Sequence, residues 1–387
     1  MKSIRILFFI SSLNCGGAEN HLLNICRFLS GQGHYAAVCS LSGGGDDLEE
    51  KFRELGTGLS YLNLPSLASF CNPARVGRLR RIVKTAAPDI IHAHLYHAEA
   101  TAALGSLFCD APLIVTRHSS GLEFNGFRRL VTGAASSRID RLIAVSSQAA
   151  DEASKTGTDR ERISVIESGI DTDLFRPLSG DQREKERRNY LNRLFGSDGE
   201  KPLILIGSVG GLRPVKNFEL FLRMAGRLTN SGSGLSQRLR FVITGEGGQR
   251  ERLRKLIDEL DIGDVTAMPG RTESPEKVIP LFDIFVLTSD SEGVPVAFLE
   301  AMSCGVPCVA SRVGGIPDAA AGNSLLPEAG DLDGFVRSVS SLAEDGRQRD
   351  RIGARNREIA VERYGLEGWG SRILSVYSSA LKTSQAE

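Results

Sequence analysis

Two carboxylates stand eight residues apart in Ser289-Asp-Ser-Glu292-Gly293-Val294-Pro295-Val-Ala-Phe-Leu-Glu300-Ala-Met. Pro295 suits the first position of a helix, where a missing N–H costs nothing. A helix from Val296 carries Glu300 about one turn in and leaves Glu292 on the loop, at the positive end of the helix dipole. The N–H groups of Gly293, Val294 and Val296 can then approach a phosphate or a sugar hydroxyl. One carboxylate can bind a ribose and the other a transferred group. A solvated helix face is the alternative for Glu300, but Phe298-Leu-Glu300-Ala-Met is too apolar for one.

Cations follow a second pattern. In Gly207-Ser-Val-Gly210-Gly211-Leu-Arg213-Pro-Val-Lys216-Asn217, Arg213 and Lys216 lie three apart just ahead of a helix. That spacing lets both converge on a diphosphate, whereas the bland reading is a solvated pair on a loop. Gly245-Glu-Gly-Gly248 supplies another Gly-rich turn after a strand, beside the previous one in a parallel sheet. Near the start, Ser11-Ser-Leu-Asn-Cys-Gly16-Gly17-Ala-Glu19 opens a helix, and Gly16 and Gly17 let a ligand approach backbone N–H groups there. It is not a GxGxxG fingerprint, so an ordinary tight turn stays open.

Of the six histidines, His92 and His94 share one face of a strand end in Ile90-Ile-His92-Ala-His94. They read as a metal pair or as the polar terminus of a buried strand, and no carboxylate stands nearby before Glu99. His118 lies just past another strand, where a cleft residue belongs, and suits proton handling or acceptor contact. Arg75, Arg78, Arg80, Arg81 and Lys84 alternate with apolar residues at helical spacing. Such a stripe fits a solvated helix face or an anionic membrane surface.

These residues need strands to carry them. Continuous apolar β-rich runs fall at 4–10, 36–40, 59–62, 90–93, 113–116, 142–145 and 163–166, then at 203–209, 240–244, 265–267, 284–288 and 307–310. Helical patterns lie between many of them, among them 20–29, 47–55, 217–228, 249–260, 296–303 and 332–344. The alternation implies parallel sheets covered on both faces, and it occurs twice. A charged stretch near 175–200 reads as the connection, with some helix inside it. The final helical pattern, 347–382, is broken at Tyr364-Gly365 and at Gly368-Trp369-Gly370. Ligands of such sheets bind beyond the carboxyl ends of the strands, so two such domains leave a cleft suited to two substrates.

The 387 residues permit two domains. Lys plus Arg and Asp plus Glu are each 47, which excludes the basic footprint of bulk nucleic-acid binding. Seven cysteines, an odd number without a CxxC pair, fit a reduced cytosolic protein better than a disulfide framework or a zinc ribbon. The apolar run at 4–10 reads as a buried first strand rather than a signal peptide, and no run approaches a membrane span.

Taken in order, the motifs make the chain resemble the family 4 glycosyltransferases, retaining enzymes of the GT-B fold, over nearly its whole length. The resemblance rests on Gly16-Gly17-Ala18-Glu19, Gly31-x-Gly33-His34, Ile90-Ile-His92-Ala-His94, Val145-Ser146 and Ile166-x-x-Gly169-Ile170-Asp171. It continues in Leu212-Arg-Pro-Val-Lys216-Asn217, Glu292-Gly-x-Pro, Glu300-Ala-Met-x-Cys304-Gly305-x-Pro307 and Gly314-Gly-Ile-Pro317.

The resemblance implies an α/β protein of two facing Rossmann-like domains. Residues 1–178 would bind the acceptor, 179–365 the nucleotide sugar, and a helix over 366–387, near Trp369, would cross back to the first domain. Lys216 and Arg213 would neutralise the donor diphosphate, with Gly245, Gly293 and Val294 beside the donor. Glu300 would accept from ribose hydroxyls and Glu292 would contact the transferred sugar. Gly16 and Gly17 would close over the donor, and His118 would lie beside the reacting centre. The family's Arg slot is Gly211 here, with Arg213 two residues later. No Asp-x-Asp occupies a cleft position, so no metal or other cofactor is expected. The expected partners are a nucleotide sugar and a glycan or lipid-linked acceptor in cell-surface polysaccharide synthesis, with no nucleic acid. The expected location is the cytoplasm, with peripheral contact at the inner membrane face through Arg75–Lys84. Other readings are a sugar-nucleotide epimerase or a phosphorylase-like enzyme on the same fold, or a non-catalytic nucleotide-sugar-binding partner. An epimerase needs no acceptor, and a binding partner shows no turnover.

Overall fold

The computed structural model describes residues 3–14, 16–45, 47–64, 66, 69, 72–118, 136–196, 203–232 and 234–384. The chain divides into two compact units, Met1–Gly169 with Leu366–Glu387, and Ile170–Gly365.

The first unit holds seven strands: β1 Arg5–Ile10, β2 Tyr35–Ser40, β3 Gly58–Tyr61, β4 Ile90–His94, β5 Leu113–Arg117, β6 Arg141–Ala144 and β7 Ile163–Val165. They pair in the order β3-β2-β1-β4-β5-β6-β7, and every pairing is parallel. The order reverses between β1 and β4, which opens the crevice where sheets of this kind take ligands. Both faces are covered. Ile6, Phe8 and Ile10 pack towards the helix Gly17–Gly31 and the last helix, while Leu7 and Phe9 pack towards the helices Pro73–Ala86 and Tyr96–Gly105. That is why β1 reads as a continuous apolar run rather than an alternation.

The second unit holds β8 Ile204–Val209, β9 Leu239–Thr244, β10 Thr266–Gly270, β11 Ile284–Leu287 and β12 Cys308–Ala310. Their order is β10-β9-β8-β11-β12, again all parallel. Here the reversal lies between β8 and β11. All twelve expected strands are present, with ends shifted by a few residues at most.

Two expectations change. The first unit closes at Gly169 rather than at 178. Ile170 pairs with Gly365 in a β-bridge, and Ile170 and Phe175 sit in the second unit's core. The charged segment after 178 carries helix inside it, as expected. It forms the helix Gly180–Phe195, which buries Tyr190 and Leu191. Its Arg183 and Arg187 both reach Asp283, each at 2.8 Å. Burial pushes the Asp283 carboxyl up, but the two guanidinium groups and the Leu205 N–H more than offset this and hold it below its usual range.

The second change concerns the chain's last helix, which runs unbroken over Leu366–Ser384, through Gly368-Trp369-Gly370. The expected break at Gly365 is real, separating it from the helix Gly346–Tyr364. Gly370 serves close packing instead. A Cβ on Gly370 would run into the Phe28 ring, and one on Gly169 into the Trp369 indole. Trp369 is fully buried in the first unit. No described helix is long and apolar enough to cross a membrane.

Candidate active site

In the second unit the chemistry gathers at the switch point. The loop after β8 carries Gly210 to Asn217, and the loop after β11 carries Thr288 to Pro295. Three bonds stitch them together. The Thr288 hydroxyl donates to the Asn217 carbonyl at 2.9 Å, the Asp290 N–H donates to the Val215 carbonyl at 2.9 Å, and the Asn217 amide donates to Asp290 Oδ1 at 2.8 Å. Asn217 sits at φ 45°, a left-handed conformation that Asn tolerates better than most residues, and its side chain caps the helix Phe218–Thr229.

Held this way, Lys216 Nζ donates to Glu292 Oε1 at 2.5 Å, and the Ser289 hydroxyl donates to the same oxygen at 2.6 Å. Lys216 and Glu292 side chains are each 12% exposed, so the pair is largely desolvated yet reachable. A cation held near an anion site is already ordered before ligand arrives, which lowers the entropy cost of binding. Among the described residues, no backbone carbonyl takes the N–H of Gly293 or Val294. These N–H groups precede the helix Val296–Ser303, whose first residues follow Pro295 as expected. A further glycine shapes the loop: Gly314 lies at φ +55°, and a Cβ there would overlap the Glu292 carbonyl. Gly315 N–H donates to the Gly293 carbonyl at 2.7 Å and fixes it from behind.

Glu300 is buried on that helix, 9% exposed, and not on a solvated face. Burial, aided by the charge of Glu276, pushes its carboxyl up to about 8. It can therefore serve a ligand as a neutral acid at pH 7, or as a carboxylate once a proton leaves.

Arg213 does not join the Lys216–Glu292 pair. It precedes the short helical turn Pro214–Lys216 with extended backbone. Exposed, it lines a cavity of about 240 Å³ with Asn217, Gln249, Arg252 and Asp290. Gly245 has a packing task as well. Its N–H donates to the Gly270 carbonyl at 2.9 Å, and a Cβ on it would overlap the Gly210 carbonyl. The third Gly-rich turn thus holds the second one by backbone contact. Sequence spacing could not show this, because the partner is another backbone.

In the first unit, Gly16 is the extended N-cap of the helix Gly17–Gly31, after β1, and a Cβ on Gly17 would meet open space. His94 ends β4 and His118 follows β5, both at the carboxyl edge of the sheet. They join a group that sequence reasoning saw only in part. His118 Nε2 lies 2.9 Å from His94 Nδ1, and the His21 ring stands edge-on to His118 with centroids 4.7 Å apart. His21 comes from the first helix, far off in sequence, and no pattern pointed to it. His92 is spent inside the core: its Nδ1 meets the Tyr377 hydroxyl at 2.7 Å and its Nε2 the Thr116 hydroxyl at 2.8 Å. Burial lowers all four imidazoles, His118 to about 4 and His92 to about 3. They are uncharged at neutral pH.

His21, His94 and His118 also each offer a nitrogen within 4.8 Å of the others, so they are the described residues able to share a metal. At the usual zinc–nitrogen length of about 2.0–2.1 Å, tetrahedral ligand nitrogens stand roughly 3.4 Å apart. The 2.9 Å pair is instead at hydrogen-bond distance. Residues 119–129, which follow His118, lie outside the described residues.

The basic stripe forms the helix Pro73–Ala86, capped by the Asn72 side chain. Leu79 and Val83 face the core, while Arg78, Arg80, Arg81 and Lys84 are exposed.

Comparisons with known proteins agree with this architecture. A family model described as Glycosyltransferase Family 4 matches residues 15–174, and one described as Glycosyl transferases group 1 matches residues 194–359. The chain is 27% identical over 320 residues to D-inositol 3-phosphate glycosyltransferase 1 of Catenulispora acidiphila, covering 76% of this chain and 73% of that one. It is 28% identical over 333 residues to the 2-deoxystreptamine N-acetyl-D-glucosaminyltransferase of Streptomyces fradiae, covering 80% and 75%. Among solved structures, Anabaena HepE in complex with UDP-glucose superposes with a TM-score of 0.83 at 20% identity, over 97% of this chain and 100% of that one.

Proposed function

Because the chain belongs to the family 4 glycosyltransferases and has their GT-B fold, we propose that it moves a sugar, with retention of anomeric configuration, from a nucleoside diphosphate sugar to a glycan or lipid-linked acceptor. The observation that carries this reading is the Lys216–Glu292–Ser289 group at the switch point of the second sheet. HepE was solved with UDP-glucose, which makes UDP-glucose the first donor to test.

The reaction breaks the bond between the anomeric carbon and the diphosphate oxygen. Negative charge builds on the leaving diphosphate. Lys216 and the N–H groups of Gly293 and Val294 are fixed in advance where such charge can be stabilised. A diphosphate arriving at Lys216 competes with Glu292 for the ammonium, which frees Glu292 to accept from hydroxyls of the transferred sugar. Glu300 is assigned to the ribose hydroxyls. Arg213, exposed and flexible in reach, is a secondary phosphate contact. Gly16 and Gly17 are assigned as backbone contacts to the donor.

Retention on a single carboxylate needs a covalent intermediate. No free nucleophile emerges from this set: once the donor is bound, Glu292 is assigned to hydroxyls of the transferred sugar and stays bonded to Ser289, and Glu300, pushed up to about 8 by burial, is assigned to the ribose. Attack from the same face through a short-lived ion pair suits these groups better. The leaving diphosphate then takes the acceptor's proton. His118, uncharged, is assigned as a hydrogen-bonding contact to the reacting groups rather than as an acid. Cations here do the work of charge neutralisation, so the reading involves no donor-bridging metal.

The exposed cations of the helix Pro73–Ala86 fit an anionic membrane surface, which suits a lipid-linked acceptor in cell-surface polysaccharide synthesis at the inner membrane face. The test of the site is transfer by Lys216→Ala and Glu292→Ala, with folding confirmed by circular dichroism. Loss of at least tenfold in both is expected, and near-normal transfer by both would sink the assignment.

A further inference from the structure

The histidine group of the first unit does more than the proposed function asks of it. Its rings touch in sequence: His92 to His94 with centroids 4.5 Å apart, His94 to His118 at 5.3 Å, and His118 to His21 at 4.7 Å. Phe8 and Trp369 wall it on the apolar side. Each uncharged imidazole owns one N–H donor and one bare acceptor nitrogen. His92 has partners for both nitrogens, and His21 Nδ1 meets the Ser168 hydroxyl at 3.1 Å.

The bond between His94 Nδ1 and His118 Nε2 is different in kind. Both partners are imidazoles, so one nitrogen must carry the proton and the other must be bare. Each ring's tautomer therefore decides the other's. The remaining nitrogen of His94, Nε2, is buried and has no partner among the described residues. A buried N–H without an acceptor is what folded proteins avoid most strongly. The bare state is the cheaper one for that atom, which leaves the proton of His94 on Nδ1.

We propose that His94 is a positioning residue: its Nδ1–H donates to His118 Nε2, fixes the plane of the His118 ring, and holds His118 as the Nδ1–H tautomer. His118 then presents a single defined donor, Nδ1–H, to a substrate oxygen. Free imidazole side chains favour the proton on Nε2, so the tautomer held here is the less common one and gives a distinct signature. Burial supports the arrangement, since a charged ring would carry protons on both nitrogens and break the donor–acceptor match. The consequence for transfer rests on the reading of His118 as a group that contacts substrate, whereas the tautomer itself does not.

The experiment is a two-bond proton–nitrogen correlation spectrum of the full chain labelled in the imidazole nitrogens, with His118 assigned from the spectrum of His118→Asn. The wild type is expected to show His118 neutral from pH 5.5 to 8 with its proton on Nδ1. In His94→Leu the His118 signals should move to the Nε2–H pattern or to an average of the two. Turnover should fall roughly 10–100-fold with little change in the donor KM, as expected when a reacting group is misplaced rather than a binding contact removed. His94→Asn, whose amide can put an N–H where Nδ1 stood, should restore both.

A wild-type spectrum with His118 protonated on Nε2 would overturn the proposal. So would an unchanged tautomer in His94→Leu, or one chelator-removable zinc per chain that is lost in that variant. If His94→Leu does not fold, the wild-type and His94→Asn spectra still decide the question. Should His118→Asn transfer sugar normally, the role given to His118 fails while the tautomer measurement stands apart from it.

Discussion

Replacing Glu300 by Gln isolates the cost of burying an acid. The side chain is 9% exposed, and its carboxyl is pushed up to about 8 by burial and by Glu276, against 4.5 when free. The folded chain therefore keeps this proton until about pH 8, while the unfolded chain releases it near 4.5. Between those values the folded state binds more protons, so stability falls as pH rises and levels off above 8. At about 1.4 kcal/mol for each pH unit of separation, the loss amounts to roughly 3–5 kcal/mol at pH 8.5. Gln has nearly the same shape and cannot ionise. Glu300→Gln should match the wild type near pH 4.5 and exceed it by most of that amount at pH 8.5. The single tryptophan, Trp369, lies in the first unit and does not report on this site. Hydrogen exchange of peptides spanning the helix Val296–Ser303, measured at several urea concentrations and two pH values, reads the right unit. Equal protection in the two proteins at pH 8.5, or greater protection in the wild type, would refute the reasoning.

The same acid links donor binding to pH: if ribose hydroxyls donate to the Glu300 carboxylate, affinity for a nucleoside diphosphate should rise from pH 6 towards 8 in the wild type and stay flat in Glu300→Gln, as calorimetry can show. The first unit should respond to acid with the opposite sign. Its buried histidines stay neutral when folded but take protons near 6.5 when unfolded, so stability is lost as pH falls below 6.5, by up to about 1.4 kcal/mol per pH unit for each ring. Trp369 fluorescence in urea at pH 7 and 5.5 should show a midpoint lowered accordingly, and His92→Gln should weaken the dependence. Gly314→Ala puts a Cβ onto the Glu292 carbonyl from a left-handed backbone and should cost roughly 2–4 kcal/mol while impairing transfer beyond its effect on folding. Gly245→Ala, pressed against the Gly210 carbonyl, should destabilise the second unit similarly, and an unperturbed melting temperature would argue against the close approach.

Much of the fold was legible because parallel strands buried on both faces leave unbroken apolar runs, and all twelve appear where such runs occur. That Lys216 and Glu292 follow strands, and that Glu300 lies about one turn into the next helix, was legible from where the apolar runs end and Pro295 stands. What escaped was contact between parts remote in sequence. The closing of the first unit at Gly169 depends on Ile170 pairing with Gly365, nearly two hundred residues later. The glycine before Trp369 and the one after it looked like breaks, though Gly370 is there to admit the Phe28 ring. Arg213 and Lys216 looked equivalent by spacing, but their surroundings differ: Lys216 is held by Glu292, while Arg213 is exposed and lines a cavity with Asn217 and Asp290. His94 was visible only as half of a His-x-His pair, since its partners come from β5 and the first helix.

The central claim is that the second unit grips a diphosphate at Lys216. It is tested most directly by calorimetric titration of UDP, GDP, ADP and TDP into the wild type and Lys216→Met at fixed ionic strength. At least one should bind the wild type, and a charge-assisted contact of about 1.5–3 kcal/mol predicts that Lys216→Met weakens it by roughly 10–100-fold, while the matching nucleoside without phosphates is unaffected. Equal affinity of the two proteins for every nucleoside diphosphate would contradict the account.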